Sequence, residues 1–272
     1  MSRQFITHAS GLGFTEAPRW YNNKLYFSDF SQQVVRSIDL DGNIEIIANV
    51  PHQPSGLGWL PDGRMLVVSM SNHKVLVQGA NGALDEYADL SQIATGVCND
   101  MIVDKYGRAY VGNFGGSGLS LESTVAAKLA MIDSDGNVSV AAENLNFPNG
   151  AVISPDGNTL IIAETFGKCL TAFNIANDGS LNNRRVWANI APAHPDGICL
   201  DSEGGIWVAT VYNEVIRVLE DGEITDRITT PHGCYACTLG GLDGKRLYLC
   251  VTGETGSKIV STDVNIPALA DQ

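Results

Sequence analysis

The chain has 272 residues and a formal charge of −13, which arises from 30 acidic and 17 basic residues. A surface of this charge repels phosphate backbones and anionic lipid head groups, so nucleic acids and membranes are excluded as expected partners. No apolar stretch approaches the roughly 18 residues needed to cross a bilayer, and the first residues lack the apolar core of a signal peptide. A cytoplasmic location is therefore expected.

The composition favours many short buried strands joined by tight turns. Hydrophobic residues make up 44% of the chain, charged residues only 17%, and there are 29 glycines and 10 prolines. Long surface helices would require more Lys and Glu. The composition therefore indicates an all-β protein.

In chain order, six segments share one pattern: a polar residue, a short apolar strand, a turn and a second strand. They are residues 16–29, 54–69, 99–113, 148–164, 195–210 and 236–250. The turn contains Asp62-Gly63 in the second copy and Asp156-Gly157 in the fourth, which is typical of a hairpin. Further strand pairs lie between the copies, for example at 34–48, 127–142 and 214–228. Each period of roughly 40 to 50 residues therefore contains four strands.

Six such periods without a convincing helix predict an all-β fold, a six-bladed β-propeller with four antiparallel strands per blade. Two stacked sandwiches are the structural alternative, but a sandwich has no reason to repeat one hairpin six times. We expect the N-terminal segment QFITHA to close the ring by pairing near KIVSTDV in the last blade. Since no linker interrupts the chain, one domain over residues 1–272 is predicted.

Equivalent positions at the start of each innermost strand should form a ring around the propeller axis. Aligned by the turns that follow, these positions are Glu16, Ser55, Asn99, Asn149, Asp196 and Ala236. Two carboxylates and two amides at one point form a hard oxygen cage, which suits Ca²⁺ and also accepts Mg²⁺ or Mn²⁺. The alternative is an axial hydrogen-bond network with ordered water.

The segments FTEAPRW, NDMIVDKYGRAYVGN, FPNGAVISPDG and HPDGICLD resemble motifs of the senescence-marker-protein, gluconolactonase and luciferin-regenerating-enzyme family. The similarity covers nearly the whole chain in the right order. It implies a six-bladed propeller that opens a small lactone with one divalent metal ion, Ca²⁺ or alternatively Zn²⁺, Mn²⁺, Mg²⁺ or Fe²⁺. By motif, Glu16, Asn149 and Asp196 resemble the family's metal ligands. Asp196 also resembles its general base, and Asn99 a substrate or metal contact.

One position departs from this resemblance. Sugar-lactone hydrolases of the family carry an Arg two residues before the Asn of the N-D pair, where this chain has Val97. A lactone that is less polar than a sugar, or differently substituted, is therefore a plausible substrate.

Three histidines precede inner strands, and we expect His52, His194 and His232 to contact substrate at one mouth of the tunnel. One of them is an alternative base to Asp196. Three other functions stay open: a non-enzymatic binding scaffold, a phosphotriester hydrolase that uses the same metal, and, more remotely, a strictosidine-synthase-like condensation. The sequence specifies neither the natural lactone nor the oligomeric state.

Overall fold

The alternation of apolar strands and Asp-Gly turns produces twenty-four strands in the computed structural model, which describes residues 3–116 and 125–269. In chain order they are β1 (Ile6–Leu12), β2 (Thr15–Tyr21), β3 (Lys24–Asp29), β4 (Val34–Ile38), β5 (Ile44–Asn49), β6 (Pro54–Trp59), β7 (Met65–Ser69), β8 (Lys74–Gln78), β9 (Leu84–Asp89), β10 (Cys98–Val103), β11 (Ala109–Asn113), β12 (Ala127–Ile132), β13 (Val138–Leu145), β14 (Pro148–Ile153), β15 (Thr159–Glu164), β16 (Cys169–Ile175), β17 (Leu181–Asn189), β18 (Ile198–Leu200), β19 (Ile206–Ala209), β20 (Glu214–Val218), β21 (Ile224–Thr229), β22 (Gly233–Gly240), β23 (Arg246–Gly253) and β24 (Gly256–Asp263).

These strands form six antiparallel sheets of four strands each. Blades 1 to 5 follow the chain, from β2–β5 to β18–β21, and blade 6 has the order β1-β24-β23-β22. Within the described ranges, the one helical segment is a 3₁₀ turn at Glu220–Gly222. The prediction of a six-bladed propeller is therefore confirmed. Across these same residues we find no helix with the length and apolar character that a membrane crossing requires.

Strand β1 closes the ring, as the sequence predicts. It is the outermost strand of blade 6 and pairs antiparallel with β24, placing Ile6 opposite Ser261 and Thr7 opposite Val260. The first strand of the chain thus covers the edge of the last blade, which would otherwise present unpaired backbone groups.

In blades 2, 4 and 6, the turn of the inner hairpin contains an aspartate followed directly by a glycine. In blade 4, the Asp156 carboxylate accepts a hydrogen bond from the Asn158 backbone N–H at 3.0 Å, and Gly157 has φ = +78°. Glycine adopts this left-handed conformation without a steric penalty, so the turn residues determine where each strand pair reverses.

Apolar side chains fill the six interfaces between neighbouring blades. Each of six buried clusters combines residues from two adjacent blades. One joins Val152 of blade 4 to Ile206 of blade 5, and another joins Phe27 of blade 1 to Tyr248 of blade 6. Each blade is therefore held on both faces by hydrophobic burial, and the inner strands meet at the axis.

Candidate functional site

Four of the six predicted ring positions are the second residue of an inner strand, whereas Asp196 lies two residues before β18 and Ala236 is the fourth residue of β22. In blades 1 to 4, the regular pairing of the inner strand with its neighbour is interrupted just after that position, for example between Glu16 and Arg19 and between Cys98 and Met101. A bulge bends the strand and redirects its side chains. The repeat of this irregularity indicates that it shapes the centre of the propeller.

Glycines next to the ring allow neighbouring blades to approach closely there. A Cβ on Gly150 of blade 4 would lie 2.6 Å from the Asp196 carbonyl oxygen of blade 5, and one on Gly197 would lie 2.5 Å from the Ala236 Cβ of blade 6. The Gly150 N–H also donates to the Asp196 carbonyl at 3.2 Å. Backbone contact of this kind brings the ring side chains of successive blades together.

The amide and hydroxyl side chains of the ring form one hydrogen-bonded series across blades 2, 3 and 4. Ser55 Oγ donates to Asn99 Oδ1 at 3.0 Å, and Asn99 Nδ2 donates to Asn149 Oδ1 at 2.9 Å. Asn149 Nδ2 donates in turn to Thr165 Oγ1 at 3.2 Å. These bonds fix the orientation of both amides and leave each carbonyl oxygen with capacity for another contact.

The two ring carboxylates influence each other across the axis. Burial raises the pKa of Glu16 well above its usual value, and the charges of Asp196 and Asp100 raise it further. Burial also raises the pKa of Asp196 to about 8, although a hydrogen bond from the Asn149 side chain opposes this shift. Asp196 is only 7% exposed. Ionising both carboxylates at the centre of the propeller therefore has a high electrostatic cost unless a cation compensates their charge.

Asp100 is a central carboxylate that the sequence reasoning missed. Arg19 of blade 1 donates to Asp100 Oδ1 of blade 3 at 2.7 Å and to the Met101 carbonyl at 2.9 Å. Arg19 also lines a cavity of about 450 Å³ at the other end of the inner strands. The ion pair thus lies between the ring and that cavity. The only available signal was the position of Asp100 directly after Asn99.

The donor set at the ring fits a hard divalent cation. The ion pairs of the described residues do not include Glu16 or Asp196, since Arg19 hydrogen-bonds to Asp100 instead. No group of three or more His, Cys, Asp or Glu side chains is placed to hold a metal within residues 3–116 and 125–269. A site here would therefore need the amide oxygens of Asn99 and Asn149 beside the two carboxylates, a set of oxygen donors that suits Ca²⁺.

The three predicted histidines have different surroundings. His194 is half-buried, and its Nδ1 lies 3.3 Å from the Tyr212 hydroxyl. His52 is exposed, and its carbonyl oxygen accepts a hydrogen bond from Ser71. His232 is partly buried against Gly253. Among the described residues, no hydrogen bond joins these three side chains to the ring carboxylates, so their contact with substrate stays a prediction.

Comparisons with known proteins agree with this architecture. The chain is 25% identical to a 6-deoxy-6-sulfogluconolactonase of Pseudomonas putida, in an alignment that covers 94% of this chain and 93% of the relative. A pentonolactonase of Haloferax volcanii is 28% identical over 58% of this chain and 54% of the relative. A regucalcin structure from Agrobacterium tumefaciens superposes with a TM-score of 0.85 over 99% of this chain and 96% of the other, at 18% identity.

The match to a family model covers most of the propeller. The model describes the SMP-30/gluconolactonase/LRE-like region and matches residues 14–253, which include all six ring positions. The resemblance found in the sequence motifs is thereby confirmed, and the chain belongs to the SMP-30/gluconolactonase/LRE-like family.

Proposed function

We propose that the protein is a lactonase in which Glu16, Asn99, Asn149 and Asp196 hold one divalent cation and Asp196 acts as the general base. One observation carries the proposal: the partly buried Glu16 of blade 1 and the buried Asp196 of blade 5 interact electrostatically, and neither has an ion-pair partner among the described residues. Asn149 hydrogen-bonds to Asp196 and is itself oriented by Asn99. Relatives named as lactonases support the reaction type. Oxygen-only donors make Ca²⁺ the preferred ion.

The reaction opens a cyclic ester with water to give a hydroxy acid. When bound at the ring, a divalent cation supplies Lewis-acid chemistry that polarises the ester carbonyl. Asp196 would accept a proton from the attacking water as the water oxygen bonds to the acyl carbon. The bond between the acyl carbon and the ring oxygen would then break, and the proton held by Asp196 would pass to the ring oxygen, which leaves as a hydroxyl group. The burial of Asp196 keeps its carboxylate in a fixed position for this proton transfer.

Asn99 is suited to orient the substrate. Its side chain is 6% exposed and is held from both sides, by Ser55 at Oδ1 and by Asn149 at Nδ2. Because the amide cannot rotate without breaking these bonds, its remaining hydrogen-bonding groups keep a constant direction towards a bound substrate. On the opposite side, His194 and Tyr212 offer polar groups to the substituents of a bound lactone.

The test is a lactone panel assayed with metal-free protein and with added Ca²⁺, Mn²⁺, Mg²⁺, Zn²⁺ or Fe²⁺. We expect turnover only with added metal, and we expect Asp196→Asn to lower kcat by about 10² to 10⁴, the contribution of a positioned general base. Asp135→Asn is the matched control, because Asp135 is exposed on an outer turn, and it should retain full activity.

Two outcomes would contradict the proposal in different ways. Unchanged turnover in Asp196→Asn would remove Asp196 as the base and direct attention to His194. Inactivity towards every lactone with every metal would favour a binding scaffold instead of an enzyme.

A further inference from the structure

One apolar cluster differs from the six that fill the blade interfaces. It comprises side chains from blades 1 to 4, and we call it the apolar wall: Phe30, Met70, Val97, Phe114, Phe147 and Phe166. Each interface cluster draws on two adjacent blades, whereas the apolar wall draws on four. Blades of a propeller diverge with distance from the axis, so side chains from four blades can meet only close to the axis.

The apolar wall lies directly beside the ring of polar side chains. Val97 is two residues before Asn99, and Phe147 is two residues before Asn149. The backbone N–H of Phe114 donates to the Val97 carbonyl at 3.0 Å, and the N–H of Thr165 donates to the Phe147 carbonyl at 3.1 Å. These bonds extend the inner hairpins past the ring. The apolar wall therefore lies next to the polar ring along the tunnel axis, at the end of the tunnel where the inner strands begin.

The wall is closely packed and partly accessible. Phe147 packs on Phe114 with ring centroids 4.3 Å apart and on Phe166 at 5.2 Å. Phe114 and Phe147 are buried, whereas Phe30, Val97 and Phe166 stay partly exposed. Aromatic side chains held in this way offer apolar area with little loss of conformational entropy on binding.

The opposite side of the same mouth has a different chemistry. Blade 5 contributes His194 and Tyr212, which lie 3.3 Å apart between Nδ1 and the hydroxyl oxygen. Blade 6 contributes Tyr235, whose ring packs on Phe14 at 4.7 Å. A molecule above the ring would thus meet the apolar wall on the side of blades 1 to 4, where His52 of blade 2 is exposed, and the His194–Tyr212 pair on the side of blade 5.

We propose that the site selects a lactone with an alkyl or aryl substituent, which binds against the apolar wall while the ester group lies over the polar ring. This inference rests on the proposed lactonase function and specifies its substrate class. A substrate with hydroxyl groups in that position would lose water contacts without gaining hydrogen bonds from the wall. An alkyl chain there removes apolar surface from water at no such cost.

The experiment is a homologous series of δ-lactones with linear alkyl chains from methyl to pentyl, compared with polyhydroxylated glucono-δ-lactone. We expect kcat/KM to rise about threefold to fourfold per methylene group, the ratio that corresponds to the burial of one such group. The variants Val97→Asn and Phe166→Asn should each reduce this slope. Val186→Asn is the matched control, because Val186 is 65% exposed on outer strand β17, and it should keep the wild-type slope.

A second readout separates this inference from the proposed function. The affinities of δ-lactams with the same alkyl chains, which resist hydrolysis, are measured by calorimetry, and they should also rise with chain length. A flat or falling slope in both series would overturn the inference even if sugar lactones are hydrolysed. If no lactone is hydrolysed, the lactonase proposal fails and the lactam affinities alone decide whether the wall binds alkyl groups. Thermal unfolding of each variant checks that it is folded.

Discussion

At the residue scale, the centre of the propeller is defined by how charges are paired. Arg19 neutralises Asp100, while Glu16 and Asp196 remain without an ion-pair partner among the described residues. The Arg19–Asp100 pair is mostly buried, with side chains 22% and 8% exposed. Removing one member of such a pair leaves a buried charge uncompensated, which costs far more than the pair itself contributes. Asp100 still raises the pKa of both ring carboxylates, whereas the positive charge of Arg19 lowers that of Glu16 and so reduces the repulsion at the ring.

The variant Arg19→Ala tests this interpretation. We expect it to lower the free energy of unfolding by about 3 kcal/mol, because Asp100 is then buried without its partner. The double variant Arg19→Ala/Asp100→Asn should recover much of this loss, since the unpaired charge is absent. Urea unfolding of wild type and both variants measures the difference. A double variant no more stable than the single one would contradict the explanation by charge pairing.

At the element scale, the strands were predictable and the irregularities were not. The repeated strand-turn-strand pattern predicted the six inner hairpins, and the expected closure of the ring predicted that the N-terminal segment pairs in blade 6. Ring positions such as Glu16 and Asn149 followed from alignment of the repeats. Asp100 was missed because the strand is irregular between Cys98 and Met101, so simple alternation of side chains fails there. Its partner Arg19 is 81 residues away in the chain, beyond the reach of any local pattern.

The close approach of inner strands gives an element-scale prediction. In Gly150→Ala, the new Cβ would lie 2.6 Å from both the Asp196 carbonyl oxygen and the Ile198 nitrogen. We expect blades 4 and 5 to be pushed apart at the ring, with a loss of about 1 to 3 kcal/mol in unfolding free energy and weaker cation binding by calorimetry. Gly79→Ala is the control in an outer turn, where the nearest atom would be Asn81 Oδ1 at 3.2 Å. Equal effects of the two substitutions would refute the role of this contact.

Closing strand β1 carries a pH-sensitive residue. Burial lowers the pKa of His8, and the charge of Arg246 lowers it further; its Nε2 lies 2.7 Å from Ser261 Oγ of β24. As the pH falls, His8 therefore becomes protonated in the unfolded chain at a higher pH than in the folded chain. The stability due to neutral His8 is complete above a pH of about 6.5 and falls as the pH drops below that value. His8→Gln should show a smaller loss of stability between pH 7 and pH 5.5 in urea unfolding. Parallel pH curves for the two proteins would show that His8 does not contribute.

At the scale of the whole molecule, the proposed site depends on ring closure. Its four ligands come from blades 1, 3, 4 and 5, and the six interface clusters together with the β1–β24 pairing hold these blades around one axis. The carboxylates that repel each other at the centre oppose this arrangement. A cation shared between blades 1 and 5 would offset that repulsion, so binding at the ring should be linked to the stability of the entire propeller.

This linkage predicts that Ca²⁺ stabilises the folded chain as a whole. A ligand that binds only the folded state at 100 times its Kd raises the free energy of unfolding by about 2.7 kcal/mol, so the urea midpoint should be higher with Ca²⁺ than with a chelator. Glu16→Gln should lose most of this difference while relieving the repulsion in metal-free protein, because one of the two interacting carboxyl groups is then uncharged at every pH. The exposed Glu223→Gln should respond to Ca²⁺ like the wild type. If Glu16→Gln kept the full calcium response, Glu16 would not be a ligand, and the stabilising ion would bind elsewhere.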